Sequence, residues 1–438
     1  MDLSNYYPQQ RGQVKLSNSY SYLCYANGDK IIIRNPLEME LIRQIECGGE
    51  IESLDLSIDN ELVLAVIKDS NRIEIYNIEN EGWRAIIEDQ CLGVKTALFS
   101  VNPRYCFVYS EVRLRISIWS LCDKKVKYIN CPKFYNKGIS YRNDDLYMAL
   151  LERKDGKDYL GIYNTVTWSL RKHFQLETID AANISWSQDG QFIAVWDSIV
   201  TYKLFIYSPA GFLITKYSAY SHGLGLKTVD WSPSGQFIML ASYDEKIRLL
   251  NTYTWQPTFE LEHSKKLSSK TEIYKENQTS TWKKPVLNPT IDIKKSQPNK
   301  DLYYAINLKM GVGICVFNPT GRYFVSRNDA MPTSLFIWKT GTPVPIFYSE
   351  QVKEIKMVQW NPIDTELLAF ISEGNHLYLW SPKLGFQCYT LNKIVQITSI
   401  TWSENGFCLI VTSLDKFCLA FPIIPADEDD KENNKNVK

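Results

Sequence analysis

Leu226-Lys-Thr-Val-Asp-Trp231-Ser-Pro-Ser-Gly235-Gln-Phe-Ile-Met-Leu-Ala-Ser242, followed by Lys246-Ile-Arg-Leu-Leu-Asn251, is one copy of a unit that recurs along the chain. The copy before it reads Ile184-Ser-Trp186-Ser-Gln-Asp-Gly190-Gln-Phe-Ile-Ala-Val195, followed by Lys203-Leu-Phe-Ile-Tyr-Ser208. Further copies place a bulky anchor at Leu56, Phe99, Tyr141, Phe317, Trp360 and Trp402. From Leu56 onward successive anchors lie 43, 42, 45, 45, 86, 43 and 42 residues apart, the long step covering an insertion. A degenerate copy fits at Leu16, 40 residues before Leu56, and ends in Ile31-Ile-Ile-Arg-Asn35.

Each unit has a physical logic. The anchor closes a short strand, and a four-residue turn reverses the chain, with Pro favoured at its second position and Gly at its fourth. Ser232-Pro233-Ser234-Gly235 and Asn318-Pro319-Thr320-Gly321 meet that demand, whereas Ser403-Glu404-Asn405-Gly406 lacks the Pro. The apolar run that follows, such as Phe237-Ile-Met-Leu240, suits a strand covered on both faces. The next strand ends in Trp or Tyr (Trp119, Tyr163, Tyr207, Trp338, Trp380), a ring large enough to fill a wedge between neighbouring sheets. Such a unit cannot bury its faces alone, so tandem copies stack. Units of this length, turn and ending resemble WD40-type β-propeller blades. The expected fold is all-β, a single closed ring of eight to nine four-stranded blades over residues 1–425. The last unit supplies three strands, at 396–402, 407–412 and 417–421, and residues 3–7 are expected to join them as a clasp that removes exposed sheet edges.

Two segments break the period. After Thr258-Phe-Glu-Leu-Glu262, read as a fourth strand, residues 263–301 carry nine lysines against Glu272, Glu276, Asp292 and Asp301. A flexible loop on the rim is expected there, solvated rather than bound to an acidic tail or a phosphate backbone. Residues 426–438, rich in Asp, Glu, Asn and Lys, are expected to be a disordered tail.

Composition narrows the function. Aromatics reach 13% and hydrophobics 45%, which suits strands. Lys plus Arg and Asp plus Glu both number 49, so the basic excess of a dedicated nucleic-acid binder is missing. The 10 cysteines contain no C-x-x-C and lie mostly in apolar runs, as at Cys315, Cys408 and Cys418, which points to reduced core residues. The N-terminal residues resemble no signal peptide, and the expectation is a soluble intracellular protein without a membrane partner. His173, His222, His263 and His376 are well separated, and neither a G-x-S-x-G elbow nor a phosphate loop occurs. The expectation is no enzyme, with no catalytic, cofactor-binding or metal residues.

Recognition is the alternative to catalysis. In WD-type blades the loop between the second and third strands shares a face with the inter-blade loops. Those loops here hold Tyr109-Ser-Glu111, Glu152-Arg153-Lys154-Asp155, Trp196-Asp197, Tyr243-Asp244 and Arg327-Asn328-Asp329. Exposed Trp, Tyr and Arg dominate binding hot spots, which singles out Arg153, Lys154, Trp196, Tyr243, Arg327 and Asn328 as partner-binding candidates. Asp197 and Asp244 instead suit local turn fixing.

Leu114-Arg-Ile-Ser-Ile-Trp119-Ser-Leu-Cys122 with Cys131-Pro132-Lys133, Met148-Ala-Leu-Leu-Glu152-Arg153 with Lys157-Asp158-Tyr159, and Ile193-Ala-Val-Trp196-Asp197 with Tyr202-Lys203-Leu204 go beyond generic blade signals. So do Tyr217-Ser-Ala-Tyr220, Arg327-Asn-Asp329 and Leu377-Tyr-Leu-Trp380-Ser-Pro382. In these stretches the chain resembles the centrosomal and spindle-pole WD-repeat protein eight family, from about residue 14 to residue 421. The turn at Leu16-Ser-Asn-Ser19 and the Lys-rich insertion depart from that pattern. The resemblance implies a non-catalytic scaffold of the cytoplasm and cytoskeleton, at the centrosome, microtubule-organising centre and spindle pole. It implies a coiled-coil centrosomal anchoring protein as partner, with a minus-end-directed kinesin and other organising-centre components beside it. The implied roles are microtubule anchoring, mitotic spindle assembly and cilium biogenesis. The alternative reading is an RNA- or ribosome-associated large propeller acting in translation initiation, against which the balanced charge argues.

Overall fold

The anchors close the innermost strands of nine sheets. The computed structural model describes residues 1–10, 13–88, 93–111, 114–264, 267–276, 282–283, 310–392, 394 and 396–422. Blades 1 to 9 span residues 14–46, 51–88, 96–130, 139–175, 181–217, 226–262, 312–350, 355–390 and 399–421. Nine blades settle the choice left open between eight and nine. Every described element is a strand.

Within a blade the strands run outward in chain order, and first strands of most neighbouring blades touch around the centre. The middle strands carry the apolar runs and are covered on both faces. Leu62–Ile67, Ile193–Asp197 and Leu368–Ser372 are buried at every position. The outermost strand of blade 4, Ser169–Gln175, is exposed everywhere but at Phe174. Buried side chains therefore gather into nine clusters, one in each wedge between consecutive blades. One of these joins blade 9 to blade 1 through Cys408, Ile410, Phe417, Leu23 and Tyr25, which closes the ring. The strand-ending rings fill the wedges as expected, with Trp338 only 1% exposed and Tyr207 2%. Burying one such ring contributes roughly 1.5–3 kcal/mol, and only when a neighbour covers it.

Neighbouring blades are also tied by polar latches at the anchors. The residue before an anchor accepts a hydrogen bond from the backbone N–H of the next anchor. Asp55 takes Phe99 at 2.9 Å, Ser140 takes Trp186 at 2.9 Å, Asp230 takes Phe317 at 3.0 Å and Gln359 takes Trp402 at 3.1 Å. The indoles of Trp231, Trp360 and Trp402 donate back to the carbonyls of Ser185, Val316 and Gln359 at 3.2, 3.3 and 3.2 Å. These bonds satisfy inner-strand groups that no sheet partner reaches.

The N-terminus forms the expected clasp in two short pieces. Asp2–Leu3 and Tyr7–Pro8 both pair antiparallel with Lys416–Phe421, the outer strand of blade 9. Tyr7 stacks on Phe417 at 5.7 Å, and the buried Gln9 donates to the carbonyls of Ser413 and Lys416 at 2.7 and 3.2 Å.

The insertion corrects an expectation. Its start is pinned: His263 Nε2 lies 2.9 Å from Ser326 Oγ, which also accepts from the Trp338 indole at 2.8 Å. Glu272–Glu276 then adds to the outer edge of blade 7, parallel to Pro345–Glu350, and pairs in turn with Trp282–Lys283. Tyr274 packs on Phe347 and Phe386 with centroids 5.6 and 5.0 Å away, and Lys275 pairs with Glu350 at 3.0 Å. Counting lysines hid the apolar pair Ile273 and Tyr274, which covers an open sheet edge. Residues 265–266, 277–281 and 284–301, and the tail at 426–438, lie outside the described residues.

Candidate partner-binding face

The loops between second and third strands meet the inter-blade loops at one end of the ring. Ser198 N–H donates to the Asp180 carbonyl at 2.8 Å, Arg153 to Cys131 at 2.9 Å, and Gly225 to Ile199 at 2.8 Å. Gly225 is required at that contact, because a Cβ there would stand 2.5 Å from the Thr201 carbonyl oxygen.

Asp158 organises the part over blades 4 and 5. Its carboxylate is fully buried, pairs with Lys133 at 3.0 Å and with Arg153 at 3.2 Å, and accepts the Ala181 N–H at 2.6 Å. Lys133 also reaches Asp180 at 2.7 Å. Partial burial pushes Asp180 up, but its bonds to Lys133 and its proximity to Arg153 outweigh that and hold it below the usual carboxylate range. Arg153 therefore spends its guanidinium within the fold while remaining partly exposed, and Lys154 is exposed.

Asp197 has the turn-fixing role its sequence position suggests. It accepts the N–H groups of Ile179 and Asp180 at 3.1 and 3.3 Å and the Thr201 hydroxyl at 2.9 Å. Asp244 does the same in blade 6, accepting Lys246 N–H at 3.2 Å and pairing with Arg248 at 2.6 Å. The loops that Asp197 joins hold Ile179 and Val200 open to solvent, 60% and 72% exposed. Sequence reasoning missed both, although β-branched apolar residues inside the polar stretches Thr178-Ile-Asp180 and Ser198-Ile-Val-Thr201 were a readable signal.

Over blades 6 and 7 the candidates sit deeper. Lys227 lies 5.0 Å over the half-buried Tyr243 ring, pairs with Asp329, and donates to the Met310 carbonyl at 3.1 Å. Arg327 has a side chain 12% exposed, paired with Asp329 and, at 3.7 Å, with Glu354. Two expectations of exposure are corrected here. Trp196 is 5% exposed, in the cluster between blades 5 and 6, because its strand's apolar run continues through it. Asn328 is 0% exposed, and its side-chain oxygen accepts the Ala330 N–H at 3.0 Å. Arg153, Lys154 and Tyr243 thus remain accessible, whereas Trp196, Asn328 and most of Arg327 hold the loops in place. Among the described residues no three His, Cys, Asp or Glu side chains are grouped to hold a metal ion.

Comparison with known proteins agrees with this architecture. The profile of the WD domain, G-beta repeat family matches residues 213–251. The mouse (Mus musculus) WD repeat-containing protein WRAP73 is 30% identical over 435 residues, covering 93% of each chain. The Schizosaccharomyces pombe protein named Uncharacterized WD repeat-containing protein C32H8.09 is 23% identical over 363 residues, 75% of this chain and 72% of its own. Among solved structures, the Dos1 propeller superposes with a TM-score of 0.53 at 14% identity, covering 84% of this chain and 90% of that one. A eukaryotic initiation factor superposes with a TM-score of 0.56 at 10% identity, covering 87% of this chain and 88% of that one. These structures share the fold. With its repeats, its nine-bladed ring and a full-length likeness at 30% identity, the chain belongs to the family of WD repeat-containing proteins represented by WRAP73.

Proposed function

We propose that this protein is a non-catalytic scaffold of the centrosome and spindle pole whose loop face over blades 4 to 6 takes a coiled-coil anchoring protein. The observation that carries the reading is the pair Ile179 and Val200, held 60% and 72% exposed on loops pinned by Asp197. Apolar side chains already fixed in place lose little freedom when a partner covers them. Lys154 on one side and Tyr243 on the other supply a polar rim, which sets register more than affinity. The resemblance carried by Trp119–Cys122, Glu152-Arg153 and Trp196-Asp197 supports the cellular placement, and the likeness to WRAP73 across 93% of both chains supports a WD-repeat scaffold. On this reading the ring helps anchor microtubule minus ends, organise the mitotic spindle and support cilium assembly, with a minus-end-directed kinesin as a further partner. The initiation-factor likeness, at 10% identity, concerns the fold and adds nothing to the translation alternative.

The test is a tagged protein and an Ile179→Asp, Val200→Asp double variant with an unchanged melting temperature. The wild type is expected at microtubule-organising centres and to copurify a coiled-coil protein, and the variant to lose at least tenfold of that capture. Undiminished capture moves the binding face elsewhere, and a label spread evenly through the cytoplasm overturns the cellular placement.

A further inference from the structure

Among the described residues two buried glutamates each accept a tyrosine hydroxyl, and they are completed differently. In blade 2, Glu74 is 2% exposed, accepts Tyr76 Oη at 2.6 Å and the Gly48 N–H at 3.1 Å, and pairs with the Arg72 guanidinium at 2.8 Å. In blade 4, Glu152 is 8% exposed, accepts Tyr163 Oη at 2.6 Å, and has His173 Nε2 at 3.1 Å. Among the described residues no Lys or Arg pairs with Glu152. Burial accordingly pushes its carboxyl above the usual carboxylate range, against the pull of Tyr163 and His173.

A cavity of 320 Å³ opens beside Glu152, between the outer parts of blades 3 and 4. Ile118 and Ile129 line it from blade 3, and Trp168, Leu170 and His173 from blade 4. The arrangement is built rather than incidental. Gly161 lies within strand Lys157–Asn164, and a Cβ there would stand 2.3 Å from Glu152 Oε1 and 2.7 Å from the Tyr163 ring. A glycine inside a strand weakens it and marks a close approach. His173 is held by stacking on Tyr159, with centroids 5.1 Å apart and planes 7° from parallel. Lys127, at the cavity wall, donates to the Thr167 carbonyl rather than to Glu152.

We propose that the cleft between blades 3 and 4 is a docking site for an arginine side chain of a partner protein, its guanidinium completing the Glu152–Tyr163 pair as Arg72 completes Glu74–Tyr76. The one ion-pair partner of Glu152 among the described residues is His173, which is charged only when protonated, so a permanent cation adds what the site lacks, and Ile118, Ile129, Trp168 and Leu170 suit the methylene stem that carries one. Arginine fits better than lysine because its planar fork matches a carboxylate that already has one donor on each oxygen. The cleft lies beside the outer strands of blades 3 and 4 and is not lined by Ile179 or Val200, so although Glu152 stands two residues before Lys154, the Ile179→Asp, Val200→Asp variant tests the loop face without altering it.

A randomised twelve-residue peptide library panned on the full chain, with counter-selection on Glu152→Gln, tests it. Gln keeps an acceptor for Tyr163, and Leu170→Trp, at a half-exposed position that narrows the cleft, serves as a second variant. Enriched peptides are expected to share an arginine. Replacing that arginine by citrulline, its neutral isostere, should weaken binding at least tenfold, as should either protein variant at an unchanged melting temperature. Enrichment of acidic or uncharged peptides, no enrichment over Glu152→Gln, or equal binding of the citrulline peptide would overturn it.

Discussion

At the turn after seven of the nine anchors, the fourth residue takes a left-handed backbone. Gly190, Gly235, Gly321 and Gly406 have φ of +70°, +70°, +71° and +66°, and Tyr20, Asn60 and Asp145 adopt 59°, 61° and 57° where no glycine is present. The motif is therefore a backbone requirement that glycine meets most cheaply, which is why degenerate units such as Leu16-Ser-Asn-Ser19 still fold as blades. Two partly buried titratable residues set opposing pH responses. Burial pushes His263 down to about 4 from 6.5, so its contribution is full above pH 6.5 and is lost as pH falls toward 4. Burial pushes Asp230 up to about 6 from 3.8, so it penalises the fold above pH 6, and that penalty fades as pH falls toward 4. Between pH 6 and 5 each amounts to about 1 kcal/mol, and they largely cancel. His263→Gln should then give a protein that gains stability between pH 7 and 5, and Asp230→Asn one that loses it. Urea midpoints measured at the two pH values check both, and parallel slopes for the two variants would refute the assignment.

Among elements, the strand Glu272–Glu276 shows how an insertion can become part of a blade. It covers an outer edge whose backbone groups would otherwise face water, and a parallel partner is unusual in a ring of antiparallel sheets. Its attachment rests on few side chains, chiefly Tyr274 against Phe347 and Phe386. Tyr274→Ala should cost about 2 kcal/mol locally. Hydrogen exchange should speed up at residues 272–276 while blades 1 to 5 keep their protection. Loss of protection around the whole ring would mean that the strand is integral to closure.

For the whole molecule, closure is the decisive step, because every wedge needs two blades and the ring has no stable end. Phe417 and Leu419 are 0% exposed partly because the N-terminal pieces complete blade 9. Deleting residues 1–10 should lower the melting temperature by roughly 5 °C or more, since a loss of a few kcal/mol shifts a protein of this size by that amount. An unchanged melt would show that three strands close the ring alone.

The periodic residues determined the architecture by themselves. Anchor, turn and apolar run are local demands of one blade, so they recur in every copy and can be read without knowing what lies opposite. The same local reading put Trp196 and Asn328 on the surface, because a residue at a strand's end looks alike whether it faces solvent or the next blade. Burial of that kind, the ninth blade's closure on the first, the docking of Ile273 and Tyr274, and the pairing of Glu152 with Tyr163 and His173 were decided only in three dimensions. Each depends on a surface supplied by another strand or blade, and packing across a wedge leaves no periodic trace in the chain.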